Sequence, residues 1–375
     1  MSQYNNVVRF VKHPDGKPTH EVFKLEKEPL GKLKEGEYLI RNVYLSMDPA
    51  LVGRMRDEDN YAEKVSPGEV MHSYGIGQVI ESKNSNVKVG SVRFGRIDMQ
   101  EYSVFSDEKA STEINLGLAS ASSYLGAMGV NGATAYFALQ EIGQPKAGET
   151  VLISAGGSTV GSVAAQIAKN MGCKTVAIVS TDEKAKQIKQ DYGYDAAVSY
   201  RGKSIDDLSS DINKACPDGV DVYFDNTSGD ISEAVLDHLN AYSRVAVVGR
   251  LGISHLANTR LDAGRRDHNI MLTKRVKKQG FVILDYQHKF RGAFMMLARW
   301  IKEGSIKGQE DIMQGIDQTP DAFFRMLDGK NNGKQLVKLA DIDDSIDPAP
   351  RWVGRLLISK WFPTQKLAKK ITGGI

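Results

Sequence analysis

A short apolar run that breaks at a cluster of glycines and restarts as a helix constrains this chain more than any other feature. It reads Val151-Leu-Ile-Ser-Ala-Gly-Gly-Ser-Thr-Val-Gly161. Residues 151–153 have the length and apolarity of a buried strand. Gly156, Gly157 and Gly161 open a tight turn, and Val160, Val163, Ala164, Ile167, Ala168 and Met171 then recur at helical spacing. Strand, glycine turn and helix in that order begin a dinucleotide-binding unit. The glycines let the backbone approach a pyrophosphate, and the helix N-terminus offers it free N–H groups and a positive dipole end. The spacing is Gly156-x-Ser158-x-x-Gly161, with serine at the middle glycine of the fingerprint. An ordinary strand-to-helix turn also fits those eleven residues taken alone. The chain beyond Gly161 favours the dinucleotide reading. Residues 174–179, 196–198, 220–224 and 245–248 continue a regular strand series, each preceded by a plausible helix or loop, which predicts an α/β, doubly wound parallel sheet.

The end of the second strand bears on the cofactor. A site for NAD usually places Asp or Glu there, on the ribose 2′-hydroxyl. Here Ser180 and Thr181 end the strand, and Asp182 and Glu183 fall in the first turn of the next helix, where acids suit the dipole in any case. Lys184 is near enough to pair with a 2′-phosphate, although a solvated helix lysine is the other reading of it. The pattern favours NADP(H).

The first 120 residues or so differ in kind. Short β-rich segments at 37–45, 75–82, 91–96 and 100–105 are separated by Gly, Pro, Asp and Asn, the mark of a compact β domain rather than further βα units. After the apolar stretch 281–284, a helix is expected from about 290 to 303, and residues 335–339 return to strand character. The expected organisation is a β-rich domain over 1–127, a dinucleotide domain over 128–290, a return to the first domain over 291–340, and an extension over 341–375. In that extension Trp352, Leu356, Leu357, Ile358, Trp361 and Phe362 alternate with Arg351, Arg355, Lys360, Lys366, Lys369 and Lys370. Such a basic amphipathic segment suits either packing on an apolar groove or lying on a membrane surface.

Composition excludes several classes. A formal charge of +3 over 375 residues, with no basic run interleaved with aromatics, gives no case for nucleic acid. No leader and no run of 18 apolar residues is present, so neither secretion nor a transmembrane span is expected. The two cysteines, Cys173 and Cys216, build no disulfide framework and no zinc cluster. A cytoplasmic, reducing setting fits.

Several segments in a shared order then point to a family. They are Leu45-Ser-Met-Asp-Pro49 with Gly53-Arg-Met55, Gly75-Ile-Gly-Gln-Val79 followed by Lys88-Val-Gly90, Gln100-Glu-Tyr102, Gly132-Ala-Thr-Ala-Tyr136, Phe224-Asp-Asn226, Gln279-Gly-Phe281 and Asn331-Asn-Gly-Lys334. From about Leu45 to Leu339 the chain resembles the zinc-independent medium-chain dehydrogenase/reductases, and within them the prostaglandin/leukotriene reductases and plant alkenal double-bond reductases. The resemblance implies a GroES-like β-rich domain beside a Rossmann domain, with the active site in the cleft between them. It implies cofactor contacts at Ser158, Thr159, Val160 and Gly161 for the pyrophosphate, and at Lys184 and Tyr200 for the 2′-phosphate. Asn226 would lie by the ribose, and Val248, Gly249, Arg250, Leu251 and Gly252 would follow the fifth strand along the cofactor. Phe281, Val282 and Ile283 would offer backbone groups to the carboxamide, and Asn331 would reach the cofactor late in the chain. Tyr200, Asn226 and Asn331 are also compatible with loop and turn roles. A homodimer is implied, pairing the dinucleotide domains through their outer strands, with 281–284 as an apolar edge.

The zinc-dependent branch needs Cys, His and Glu ligands, and His72, His255 and His268 have no cysteine partners at zinc-like spacing. No metal is expected. The accessible chemistry is hydride addition to a carbon–carbon double bond polarised by a carbonyl: hydride to the β-carbon, a proton to the α-carbon. The expected substrate is a small α,β-unsaturated aldehyde or ketone. A quinone reductase of the same superfamily, or an NADPH-binding protein with little turnover, is the alternative. The chain departs from the family it resembles, with Ser254 and Thr273 where that family carries tyrosines and Ala50 where it carries an aromatic. No proton donor is identifiable; His255 and Tyr286 are the candidates, each also readable as a loop or packing residue.

Overall fold

The computed structural model describes residues 4–57, 63–256 and 261–346. The basic apolar segment from Arg351 onward lies outside them. A six-stranded, wholly parallel sheet contains β1 (Thr150–Ser154), β2 (Lys174–Val179), β3 (Ala196–Ser199), β4 (Val220–Asp225), β5 (Leu239–Val247) and β6 (Lys277–Gly280). Its spatial order is β3-β2-β1-β4-β5-β6. The order reverses between β1 and β4, and that switch point is where α/β sheets of this topology take a dinucleotide.

Burial explains why the strands read as apolar runs. All five residues of β1 are buried, as are the last five of β2, because helices cover both faces. Helix α1 (Thr159–Asn170) turns Val163, Ala164, Ile167 and Ala168 into this core. Its small residues let the helix lie close to the sheet. Helix α2 (Asp182–Tyr192) buries only Ala185, Ile188 and Tyr192, so it is amphipathic at the surface.

A second sheet of seven strands is ordered Glu310–Gln314, Lys334–Lys338, Tyr38–Ser46, Tyr74–Ser82, Val92–Arg96 and Ser111–Glu113, with Tyr102–Phe105 also paired to Tyr38–Ser46. Lys334–Lys338 joins antiparallel to the early strand, Leu336 opposite Ser46. A segment nearly 300 residues later in the chain therefore completes the sheet begun near the N-terminus.

Two elements differ from expectation. The fifth strand runs from Leu239 rather than Val245, through a register shift opposite Val220/Val222 and a left-handed Tyr242 at φ +64°. Its Asn-Ala-Tyr start is partly exposed and lacks a strand's alternation, so the pattern hides it. The outer strand is Lys277–Gly280, not 281–284. Phe281 donates its N–H to Val247 O at 2.9 Å and turns its ring into the core at 8% exposure, while Ile283–Lys289 is a 3-10 helix. Lys277, Lys278, Gln279 and Gly280 are all exposed, so the edge strand has no apolar face to mark it in the sequence.

Candidate active site

The glycine turn after β1 is shaped by close approach. A Cβ on Gly161 would sit 2.5 Å from Ala155 O, and one on Gly156 would sit 2.6 Å from Ala177 Cβ. Ala155 itself takes φ +49° to make the turn. Ser158 is the N-cap of α1: its Oγ accepts from Gly161 N–H at 3.1 Å. Serine at the middle glycine position thus has a structural reason, since it closes the first turn of α1 as its N-cap. Thr159 and Gly161 are buried there, and Val160 packs on the core. Tyr194, which no motif marks, clamps this turn from below. Its fully buried hydroxyl lies 2.9 Å from Gly156 O and 3.0 Å from Gly161 O, and burial pushes its pKa well above that of a free phenol.

At the switch point a buried carboxylate organises the next wall. Asp225 Oδ1 accepts from Thr227 N–H and Ser228 N–H, both at 2.9 Å, and its Oδ2 from Ser232 Oγ at 2.7 Å. Its carbonyl accepts from Val248 N–H at 2.7 Å and Gly249 N–H at 3.0 Å. Asn226 donates from its backbone to Ser154 Oγ at 2.9 Å and from Nδ2 to Ser154 O at 2.7 Å, tying β4 to β1. Gly252 N–H reaches Thr227 O at 2.8 Å and Leu251 N–H reaches Asn226 O at 3.3 Å. A Cβ on Gly249 would lie 2.6 Å from Asn226 O. The structure therefore brings Asn226 together with Val248, Gly249, Leu251 and Gly252, while Arg250 is exposed.

Lys184 is the site's most informative charge. It lies against the glycine turn, where a Cβ on Gly157 would meet Lys184 Cε at 2.9 Å. Its Nζ donates to Gly329 O at 3.0 Å and Asn331 O at 2.9 Å, both on the loop before Lys334–Lys338. Burial, then the charges of Arg201 and Arg325, hold its pKa below the ordinary lysine value. Arg201 donates to Asp328 O on the same loop at 2.9 Å. Two cations of one domain thus share the carbonyls of one turn of the other. Asp182 is spent on Ser199 Oγ at 2.5 Å, and Thr181 caps α2 through Lys184 N–H at 3.2 Å. Tyr200 donates its N–H to Val179 O, beside this corner, and Asn331 Nδ2 holds Gly333 O at 2.7 Å. Lys184, Tyr200 and Asn331 are gathered at the carboxyl end of β2. Arg201, Asp225 and Tyr194 are the residues to which sequence reasoning assigns no role; Arg201 has a signal in its place beside Tyr200 and Asp225 in the Phe224-Asp-Asn226 segment, while Tyr194 has none.

The two acid candidates are elsewhere in character. Tyr286 is sandwiched between Phe281 (centroids 5.2 Å apart) and Phe137 (5.1 Å), a packing arrangement. His255 is exposed at the end of the loop after β5. Its neighbour Ser254 gives its carbonyl to Arg56 Nη2 at 2.7 Å, and Thr273 turns its hydroxyl back to Asn269 O. Val282 and Ile283 are half-buried after the edge strand. Among the described residues no group of three or more His, Cys, Asp or Glu is placed to hold a metal ion. The cradle and the lysine fit a dinucleotide bearing a 2′-phosphate: the turn is drawn so tightly on Ala155 and on β2 that Gly161 and Gly156 admit no Cβ, and the cation is held by carbonyls rather than by a carboxylate.

Comparison with known proteins agrees with this geometry. A family model described as the N-terminal domain of oxidoreductase matches residues 7–114, and one described as zinc-binding dehydrogenase matches residues 159–299. The chain is 35% identical to the NADPH-dependent curcumin reductase of Escherichia coli, over 88% of this chain and 95% of that one. It is 34% identical to the NADP(+)-dependent 2-alkenal reductase of Nicotiana tabacum, over 82% and 90%. The crystal structure of CurA in complex with NADPH from Vibrio vulnificus superposes with a TM-score of 0.82 at 33% identity, covering 90% of this chain and 99% of that one. On its fold, its nucleotide turn and these relatives, the chain belongs to the medium-chain dehydrogenase/reductase superfamily, in the branch of the prostaglandin, alkenal and curcumin reductases.

Proposed function

We propose that this protein is an NADPH-dependent reductase of the carbon–carbon double bond of α,β-unsaturated aldehydes and ketones. The observation that carries the cofactor half is Lys184, a half-buried cation against the glycine turn whose ammonium is held by the carbonyls of Gly329 and Asn331. The substrate half is supported by relatives named for alkenal and curcumin reduction. NADPH, when bound, supplies the hydride equivalent that the β-carbon requires. The chain's own residues bind and orient. Ser158, Thr159, Val160 and Gly161 present the end of α1 to the pyrophosphate, Lys184 and Tyr200 meet the 2′-phosphate, and the wall from Asn226 to Gly252 lines the ribose and nicotinamide half. Phe281, Val282, Ile283 and Asn331 complete the cofactor's surroundings. The α-carbon takes its proton from solvent, because Tyr286 is packed between two rings and His255 stands in water.

The same proposal takes 1–127 with 291–340 as the unit facing the dinucleotide domain at 128–290, works without a metal in the cytoplasm, and pairs two copies. The open Lys277–Gly280 edge supports pairing, as do Tyr242 and Leu272, 68% and 76% exposed, with Arg275 lying over the Tyr242 ring. The direct test is NADPH oxidation against an enal, an enone and a quinone, with the product analysed by mass spectrometry. The saturated aldehyde or ketone is expected. An allylic alcohol as product, or turnover of the quinone alone, overturns the assignment.

A further inference from the structure

Lys334 is a buried charge, 4% exposed, that the proposed reaction does not use. It opens the strand Lys334–Lys338. Its ammonium donates to Met47 O at 3.0 Å and meets Asp48 Oδ1, while Asp48 Oδ2 accepts from Ser46 Oγ at 2.5 Å. Met47 N–H reaches Gln335 O at 3.1 Å beside them. The two partners come from two segments that mark the family, Leu45-Ser-Met-Asp-Pro49 and Asn331-Asn-Gly-Lys334. Stability alone gives little reason for such a pair. Desolvating an ammonium and a carboxylate costs about what their attraction returns, and apolar side chains of similar volume often serve as well. What the pair adds is a fixed register between the segments that carry it.

One of those segments holds the corner of the proposed cofactor site. Just before Lys334, Asn331 O accepts from the Lys184 ammonium at 2.9 Å. The stretch between them has no slack. Asn331 Nδ2 donates to Gly333 O at 2.7 Å, Asn332 N–H to Asp311 Oδ2 at 3.0 Å and Lys334 N–H to Gln309 O at 2.7 Å. A Cβ on Gly333 would strike Gln309 O. A shift of Lys334 is therefore passed on to the Asn331 carbonyl. Gln309 ties the same stretch to the other domain, since its Oε1 accepts from the Tyr192 hydroxyl at 3.2 Å, and Tyr192 ends α2, the helix that carries Lys184. The second carbonyl on Lys184, that of Gly329, is set separately. Gly329 N–H and Lys330 N–H close the end of the helix Thr319–Leu327 on Met326 O and Arg325 O, both at 3.0 Å.

We propose that Lys334, paired with Asp48, is a positioning residue for the 2′-phosphate: it fixes the Asn331 carbonyl, and through it the Lys184 ammonium, in the place that favours NADP(H) over NAD(H). The inference rests on the cofactor reading above. Lys334 is itself spent on Met47 and Asp48, so it acts through Lys184.

Calorimetric binding of NADP+ and of NAD+ to the full chain reads this preference without turnover. Lys334→Met is expected to lower the ratio of NADP+ to NAD+ affinity by roughly three- to thirtyfold, the span of coupling through a packed network, and to leave NAD+ affinity within about twofold of wild type. Lys334→Arg keeps the charge and retains most of the ratio. Asp48→Asn lowers the ratio as Lys334→Met does, and it carries the test if melts show that the methionine variant does not fold. In a Lys184→Ala background Lys334→Met lowers the ratio no further, because the two residues act as one unit. Equal loss of both nucleotides shows a merely structural pair and overturns the proposal. So does a further fall of the same size in the absence of Lys184. A wild type with no preference for NADP+ refutes the cofactor reading and the inference with it. A wild-type preference that survives both Lys334→Met and Asp48→Asn leaves that reading standing and refutes the positioning role alone.

Discussion

Lys184 shows how one residue's role depends on its partners. Along the chain it is open between a surface lysine and a phosphate ligand. In the fold it is half-buried, held by two carbonyls, and touches the glycine turn through Gly157. Lys184→Ala is expected to raise the KM for NADPH by roughly ten- to a hundredfold, the equivalent of about 1.5–3 kcal/mol for a charge-assisted contact, with little change for NADH. Steady-state kinetics with both cofactors check it, and equal losses would count against a 2′-phosphate role. The lowered pKa gives the effect a sign. The contact exists while the ammonium is charged and is lost as pH rises through the folded value, so NADPH affinity should weaken at lower pH than for an unburied lysine. Burial, the largest cause, sets that direction. The acid candidates carry the opposite expectation. His255→Ala and Tyr286→Phe should each cost less than about tenfold in turnover on a small enal, below the 10²–10⁴-fold of a dedicated general acid. Solvent deuterium should enter the α-carbon. Abolished turnover in either variant, with NADPH still bound, would show that a side chain supplies the proton.

Among the elements, the βα unit β1–α1 is the most legible, because buried strand, glycine turn and amphipathic helix each leave their own pattern. The two glycines of the turn that look alike in sequence are not alike in the fold. A Cβ on Gly161 meets backbone, Ala155 O at 2.5 Å, whereas one on Gly157 meets the flexible end of Lys184 at 2.9 Å. Gly161→Ala should therefore destabilise the protein by about 1–3 kcal/mol, as overpacking does, while Gly157→Ala keeps the fold and weakens NADPH binding by displacing the lysine. Thermal melts with NADPH titration distinguish them; identical melting of both variants would refute the distinction. Ser158→Ala should cost about 1 kcal/mol as a lost N-cap, seen in the same melts. The outer strand lies just ahead of the segment that its apolarity marks. Residues 281–284 look more strand-like than Lys-Lys-Gln-Gly, but an edge strand gains its place through hydrogen bonds to β5 and needs no apolar face.

For the whole molecule, the sheet edge at Lys277–Gly280 and the exposed Tyr242 and Leu272 lead to a testable association. Sedimentation at micromolar concentration should give the mass of two chains. Tyr242→Glu with Leu272→Glu should shift it towards one, and a wild-type monomer would exclude this interface. No metal requirement is expected. Activity should survive EDTA, and metal analysis should find less than stoichiometric zinc.

The linear order of residues determined the class of fold, the place of the glycine turn and the type of cofactor, because each depends on local periodicity or on residue types a few positions apart. Strand burial, helix amphipathicity and the missing acid at the end of β2 all lie within one or two elements. What only the tertiary structure decided are the meetings of distant segments. Lys184 with Gly329 and Asn331, Asp225 under the Val248–Gly249 amides, and Tyr194 beneath the glycine turn leave no periodic trace. Their partners are chosen by the folding of one domain against another and by the demand that buried polar groups find acceptors. That demand is set in three dimensions, so sequence spacing does not encode it.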